Sequence, residues 1–293
     1  MAKFLEERLL VIVEGPIASG KTTLLNNLEK RGFFTLKENC TEWQSFYGRN
    51  LLDCHYQDIQ VKESWRRMGQ GKPEHNTLLS GTRQFQYKVV SDYIKNYNTI
   101  NKYNGLVIME RDLESVRDIF MPLNRDLLTF YDYLLLNDLV SNAEKILNAD
   151  IPKLKIYLDI NLTEGFSRMN QRGRAGEKIT FNNYRKIWAA FDDFKNTCHR
   201  IISVNGLKEK EIAEEVQRVI SEWVANQPSA GYQPDRVREE DISLDKTVPL
   251  LPNSVSKKEK KKPVFNQPEP SLTTFEPQEV LESSEDEQQS SFG

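Results

Sequence analysis

The sequence has little cysteine, little histidine and no long apolar run. Cys40, Cys54 and Cys198 are the only cysteines in 293 residues. An odd count without paired spacing excludes a zinc-finger pattern or a disulfide framework and fits a reducing interior. His55, His75 and His199 are scattered. Cys198-His199 makes a poor catalytic pair, because adjacent residues point in different directions. No stretch approaches the roughly 18 apolar residues of a membrane span. Residues 1–8 mix acids with bases and carry neither a signal-peptide apolar core nor the acid-poor character of a transit peptide. The net charge of −3 lacks the basic excess of a general nucleic-acid surface. The expectation is a cytoplasmic protein that binds neither membrane nor nucleic acid.

What is present divides the chain in two. The apolar fraction of 38% is low for a fully folded chain. All four tryptophans (Trp43, Trp65, Trp188, Trp223) precede Asn226, and eight of the twelve prolines follow it. Residues 227–293 hold 8 basic and 13 acidic side chains, which leaves +2 on residues 1–226. That segment cannot bury enough apolar surface to offset its ordering entropy. We expect a folded domain over 1–226 and a disordered, low-complexity tail over 227–293. The basic run Lys257–Lys262 reads as a solubilising stretch, with a nuclear import signal as the alternative. Ser283 and Ser284, next to acidic residues, are candidate phosphorylation sites.

Within 1–226, short apolar runs alternate with helical patterns. Residues 9–13, 33–36, 106–109, 155–158 and 201–204 read as strands. Residues 22–31, 82–97, 127–147, 163–171, 181–198 and 209–224 fit helices. Such alternation predicts an α/β fold, a parallel sheet with helices on both faces.

The first strand runs into Gly15-Pro16-Ile17-Ala18-Ser19-Gly20-Lys21-Thr22, which matches G-x-x-x-x-G-K-[ST] at every fixed position. Strand before and helix after is the context this phosphate-binding loop requires. Glycine lets the backbone wrap a phosphate with its N–H groups turned inward, and the helix N-terminus adds partial positive charge. Lys21 is expected at the β- and γ-phosphates, and the Thr22 hydroxyl at Mg²⁺. By itself the motif calls for a nucleoside triphosphate.

Ligands of such sheets bind outside the carboxyl ends of the strands. Glu38 follows the second strand and Glu110 ends the third. Glu110 is placed to be a second metal ligand. Glu38 is placed to accept a proton from an incoming hydroxyl. Arg111 is placed to pair with Glu38 or a substrate oxygen. Arg168, Arg172 and Arg174 lie where a helix runs into a basic, Gly-containing loop ending at Glu177. Beside a P-loop they read as a lid that would fold over the phosphates and exclude water.

Taken in order, these motifs resemble the deoxynucleoside kinase family, the group with mitochondrial thymidine kinase, deoxycytidine kinase and the multisubstrate insect enzyme. The resemblance spans roughly residues 8–205. It rests on the P-loop, Glu38–Trp43, Asn50–Tyr56, Phe85-Gln86-Tyr87, Glu110-Arg111-Asp112 and the Arg168–Glu177 lid. It implies a P-loop kinase fold with a five-stranded parallel sheet and an Arg-rich lid. It implies that Gly15, Ala18, Ser19, Gly20, Lys21, Thr22 and Thr23 hold the ATP phosphates, with Thr22 and Glu110 on Mg²⁺. By resemblance Glu38 is the general base for the substrate 5′-hydroxyl, and Arg111 holds that hydroxyl and the transferred phosphate. Gln86 reads the base edge, Trp43 and Phe120 wall the base, and Tyr56 with Glu177 holds the 3′-hydroxyl. A homodimer and feedback inhibition by a deoxynucleoside triphosphate are also implied.

Asp112 stands where the family usually has serine, and its charge is expected to alter the hydrogen bonding of Arg111. Pro16 brings no N–H to the loop, and the Gln57–Ser80 segment is longer than usual. The positions matching the family's specificity residues are Val89, Tyr93 and Val116. Their neutral character favours pyrimidines, thymidine first and deoxycytidine second. The competing readings are a thymidylate kinase, whose monophosphate Glu38 would repel, and a non-catalytic nucleotide-binding protein.

Overall fold

The structure, a computed structural model, describes residues 8–69, 80–147, 149–174, 177 and 179–227. All belong to the unit Met1–Ile242. The tail beyond Gln227, with Lys257–Lys262, Ser283 and Ser284, lies outside the described residues. So do His75 and residues 70–79 of the long Gln57–Ser80 segment.

The chain runs β1 (Leu9–Glu14), α1 (Lys21–Glu29), β2 (Phe34–Leu36), α2 (Cys40–Gln44), α3 (Leu51–Arg67), α4 (Ser80–Lys102), β3 (Leu106–Glu110), α5 (Leu113–Ser115), α6 (Met121–Asn124), α7 (Phe130–Glu144), β4 (Lys153–Asp159), α8 (Leu162–Arg172), α9 (Phe181–Phe194), β5 (Arg200–Ser203) and α10 (Glu209–Ala225). The five strands form one sheet in the order β2-β3-β1-β4-β5, and every pairing is parallel. All five sequence-expected strands are present within two residues of their expected ends.

Strand β1 is buried along its whole length. Its side chains alternate between the two faces, as a strand of period two requires. Leu10 and Ile12 pack into one core with Val90, Tyr97, Leu136 and Val140. Leu9, Val11 and Val13 pack into the other with Leu24, Leu28, Val216 and Ile220. Helices α4 and α7 therefore cover one face and α1 and α10 the other. A sheet dry on both sides needs continuous apolar strands, which is how Leu9–Val13 reads in the sequence.

Helices α2 and α3 and the turns between β3 and α7 are absent from the helical pattern of the sequence. The reason for α3 is visible in its buried face. That face is Leu51, Leu52, His55, Tyr56 and Asp58, so polar groups occupy positions where apolar periodicity would be sought. Helices α3 and α4 press together at Gly81, where a Cβ would come within 2.7 Å of the Cys54 carbonyl oxygen. After β3 the chain passes through α5, a π-turn over Val116–Phe120 and α6. Single π-turns of this kind recur at functional sites. Here the turn places Phe120 beside the sheet end.

Candidate active site

Beyond the carboxyl ends of β1, β2 and β3 lies a cavity of about 790 Å³. It is lined by Ala18, Gly20, Lys21, Thr22 and Thr23 of the P-loop and by Glu38, Glu110 and Arg111 at the strand ends. Trp43, Tyr56, Gln86 and Phe120 line its walls, and Arg168, Arg172, Arg174 and Glu177 its lid side. The sequence-predicted site residues thus meet in one space, except Gly15 and Ser19, which do not line it.

The loop has the backbone that phosphate wrapping needs. Gly15, Ala18 and Gly20 take φ of 139°, 65° and 97°. Gly15 has no alternative, since a Cβ there would lie 2.7 Å from the Leu158 carbonyl oxygen. Lys21 Nζ donates to the carbonyl oxygens of Gly15 (3.1 Å) and Pro16 (2.9 Å). Burial lowers its pKa, as does the nearby Arg111 charge, while Glu110, Glu38 and Glu14 oppose that shift. The Thr22 hydroxyl donates to both Glu110 oxygens, at 2.9 and 3.0 Å. Burial and the Glu38 charge raise the Glu110 carboxyl. This donor set, one hydroxyl and one carboxylate facing each other, fits Mg²⁺, which Thr22 and Glu110 would hold together with phosphate oxygens and water. Among the described residues no cluster of three or more His, Cys, Asp or Glu could cage a metal alone.

Arg111 is the centre of the charged network. Its Nη1 donates to the Gly15 carbonyl oxygen at 2.9 Å, and its Nε lies 3.0 Å from Glu38 Oε1 as an ion pair. The guanidinium lies against the Phe120 and Phe191 rings, 5.2 and 4.7 Å from their centroids. Arg111 has φ of 62°, a left-handed conformation unusual for a non-glycine residue. Such strain costs about 1–3 kcal/mol and collects at functional sites.

The deoxynucleoside kinase family profile matches residues 11–65 and 81–226. The chain belongs to the deoxynucleoside kinase family. The kinase is 26% identical to a protein of Invertebrate iridescent virus 3 described as a kinase, over 72% of this chain and 96% of that one. It is 25% identical to the thymidine kinase of Ictalurid herpesvirus 1 (strain Auburn), over 75% and 87% of the two chains. Its fold is similar to that of deoxyadenosine kinase from M. mycoides, with a TM-score of 0.54 and 18% identity over 73% of this chain and all of that one. As a family member it is an ATP-dependent phosphotransferase acting on deoxynucleosides.

Two details of the kinase differ from the sequence expectation. Asp112 is turned away from Arg111. Its side chain caps α5 by accepting the Leu113 N–H at 2.7 Å, and it accepts the Tyr97 hydroxyl. A short helix start therefore consumes the extra charge. Tyr93 does not line the main cavity. It packs near Tyr97, with its hydroxyl directed at the Glu110 carbonyl oxygen at 3.5 Å. Val89 and Val116 remain on the cavity wall.

Trp43 is held from behind. Its Nε1–H donates to Asp92 Oδ2 at 2.9 Å, and Asp92 also accepts from Lys88 Nζ at 2.6 Å. Lys88 reaches Glu42 at 2.9 Å, so the segment that follows Glu38 is tied to α4, the helix that carries Gln86. On the lid, Arg172 pairs with Glu177 and Arg168 with Glu164, and Gly173 ends α8 in a left-handed cap.

Glu14 was missed by sequence reasoning because it sits inside an apolar strand and outside the P-loop pattern. It is fully buried. Its Oε1 accepts the Asp112 N–H at 2.9 Å, and its Oε2 lies 4.0 Å from Arg111 Nη1 with no hydrogen-bond partner. Burial raises this carboxyl to about 8, against the Arg111 and Lys21 charges and the Asp112 N–H, while the Asp112 charge adds to the rise. Between its unfolded value near 4.5 and about 8, the native state holds the extra proton. Stability from this group is therefore present at low pH and lost as pH climbs through 8. Thermal melts of the wild type and Glu14→Gln should show a melting-point difference that shifts in favour of the variant between pH 5 and pH 9. A pH-independent difference would contradict this.

Proposed function

We propose that the kinase transfers the γ-phosphoryl group of ATP to the 5′-hydroxyl of a pyrimidine deoxynucleoside, thymidine first and deoxycytidine second. The observation that carries this reading is the Glu38–Arg111 pair in a cavity that holds the P-loop at one end and Gln86 between apolar walls at the other. Glu38 accepts the 5′-hydroxyl proton as that oxygen bonds to the γ-phosphorus. The bond from the γ-phosphorus to the bridging oxygen breaks, and ADP leaves. Arg111 holds the attacking oxygen and the transferred phosphoryl oxygens. Lys21 leaves the loop carbonyls for the β- and γ-phosphates, and Arg168, Arg172 and Arg174 close over them. Thr22 and Glu110 would hold Mg²⁺, which when bound neutralises charge on the phosphate oxygens.

At the acceptor end, the Gln86 amide can offer donor and acceptor in either order, so it suits thymine and cytosine. Trp43 and Phe120 flank the base, Val89 and Val116 keep the wall neutral, and Tyr56 with Glu177 holds the 3′-hydroxyl. The herpesvirus relative's name as a thymidine kinase adds support for thymidine. We also propose a homodimer. The exposed Phe130, Tyr131, Leu134 and Leu135 along α7 would suit a second copy, and light scattering tests it.

An ATP-dependent phosphorylation assay with thymidine, deoxycytidine, deoxyadenosine, deoxyguanosine and thymidine monophosphate tests the activity. Turnover should rank thymidine, then deoxycytidine, above both purines, with none on the monophosphate. Turnover of the monophosphate alone would make the protein a thymidylate kinase. Preference for a purine would refute the pyrimidine assignment.

A further inference from the structure

His55 is buried on α3, and none of the roles above uses it. It lines the main cavity with 6% of its surface exposed. Its ring lies nearly flat on Phe85, with centroids 5.0 Å and planes 19° apart. The Tyr56 ring is 5.2 Å away. His55 thus sits between Tyr56, assigned to the sugar, and the Phe85-Gln86 pair, assigned to the base.

Its hydrogen bonds fix which ring nitrogen carries the proton. Nδ1 lies 3.0 Å from Thr82 Oγ1. The Thr82 hydroxyl is itself hydrogen-bonded to the Asp58 carboxylate. Asp58 also accepts the N–H of Thr82, at 2.6 Å, and that of Gly81. Asp58 already acts as the acceptor for two backbone N–H groups, so the one hydroxyl hydrogen of Thr82 is directed to it as a third donor. Thr82 Oγ1 then has only lone pairs to offer His55, and Nδ1 must be the donor. Burial lowers the His55 pKa to about 4, so the ring is neutral at physiological pH. A neutral ring has a single N–H, which leaves Nε2 a bare acceptor.

Nε2 has no hydrogen-bond partner among the described residues, and it is not one of the sealed, unpartnered polar atoms. It therefore opens on the cavity that His55 lines. A buried acceptor facing a ligand site needs a donor from that ligand, because an unmatched one costs free energy.

We propose that His55 Nε2 accepts a hydrogen bond from the bound nucleoside, with Thr82 and Asp58 fixing the tautomer that makes this possible. The inference rests on the nucleoside reading of the cavity. The donor is the 3′-hydroxyl or a base N–H, since both present the same chemistry to an acceptor and the 5′-hydroxyl proton is assigned to Glu38. His55 becomes a specificity residue beside Gln86.

The test is nitrogen NMR on the full chain with labelled histidine. Only three histidines contribute, and a His55→Phe variant identifies the signal by its loss. Free protein should show an unprotonated Nε2 and a protonated Nδ1. The Nε2 signal should move on saturation with thymidine and stay put with ATP alone. His55→Phe should raise the thymidine KM about tenfold, and His55→Gln, which keeps an acceptor, by no more than about threefold. Repeating the comparison with 3′-deoxythymidine separates the sources: loss of the His55→Phe effect assigns the donor to the sugar, and persistence assigns it to the base. A protonated Nε2 in the free protein would overturn the proposal. So would an unmoved Nε2 signal in an enzyme that turns over thymidine, or a KM less disturbed by Phe than by Gln. A protein that neither binds nor phosphorylates any nucleoside would take the functional reading down as well.

Discussion

Glu38→Gln should lose about 10²- to 10⁴-fold in kcat while its KM for ATP stays within about twofold. The substitution keeps size and leaves an amide oxygen for Arg111, while it removes the negative charge together with the capacity to take a proton. Glu38 follows β2 on the cavity wall, and its carboxylate is 3.0 Å from Arg111 Nε. The amide cannot accept the 5′-hydroxyl proton, yet Arg111 keeps the Gly15 carbonyl oxygen as a partner. The fold should therefore persist, with unfolding midpoints close to the wild type. Steady-state kinetics with thymidine and ATP decide the matter. A kcat within a few fold of the wild type would remove Glu38 from the role of base and leave it a partner for Arg111.

That prediction was open to the sequence because a carboxylate after β2 is a local feature. The five strands were legible for the same reason: each contains a short apolar run, and the central β1 and β3 are buried along their whole length, so they read as continuous apolar segments. The P-loop was legible because its spacing carries its own backbone requirement, now seen in the positive φ of Gly15, Ala18 and Gly20. What stayed hidden depends on tertiary partners. Helix α3 buries His55, Tyr56 and Asp58, and such residues read as surface until Thr82 and Phe85 are brought against them. Asp112 looked like a disturbance to Arg111 because chain neighbours were the only partners available to consider. In the fold its carboxylate belongs to the α5 cap and Tyr97. Glu14 was invisible for the opposite reason. One acid at the end of an apolar strand seems an ordinary boundary, and only the fold shows it buried beneath Arg111.

The arrangement around Glu14 makes Arg111 the residue on which both stability and chemistry depend. Arg111→Met should cost about 3–5 kcal/mol of stability, because it leaves charges without their buried partner. It should also lower kcat by about 10³-fold through loss of the group that holds the attacking oxygen and the phosphoryl oxygens. The two losses have different origins, and a second substitution separates them. Adding Glu14→Gln removes a group that burial already drives towards its neutral form. The double variant should recover little stability at neutral pH, where Glu14 already holds a proton, more at alkaline pH where that proton is lost, and none of the kcat. Arg111→Lys should keep more of the stability than Met does. It would still lose most of the activity, since an ammonium lacks the planar fork that reaches Gly15, Glu38 and the ring faces together. Denaturant midpoints and single-turnover rates for the wild type, the three single variants and the double variant give the full comparison. Strictly additive stability losses for Arg111→Met and Glu14→Gln would show that the two groups are not coupled, and the 4.0 Å separation would then be proximity without interaction.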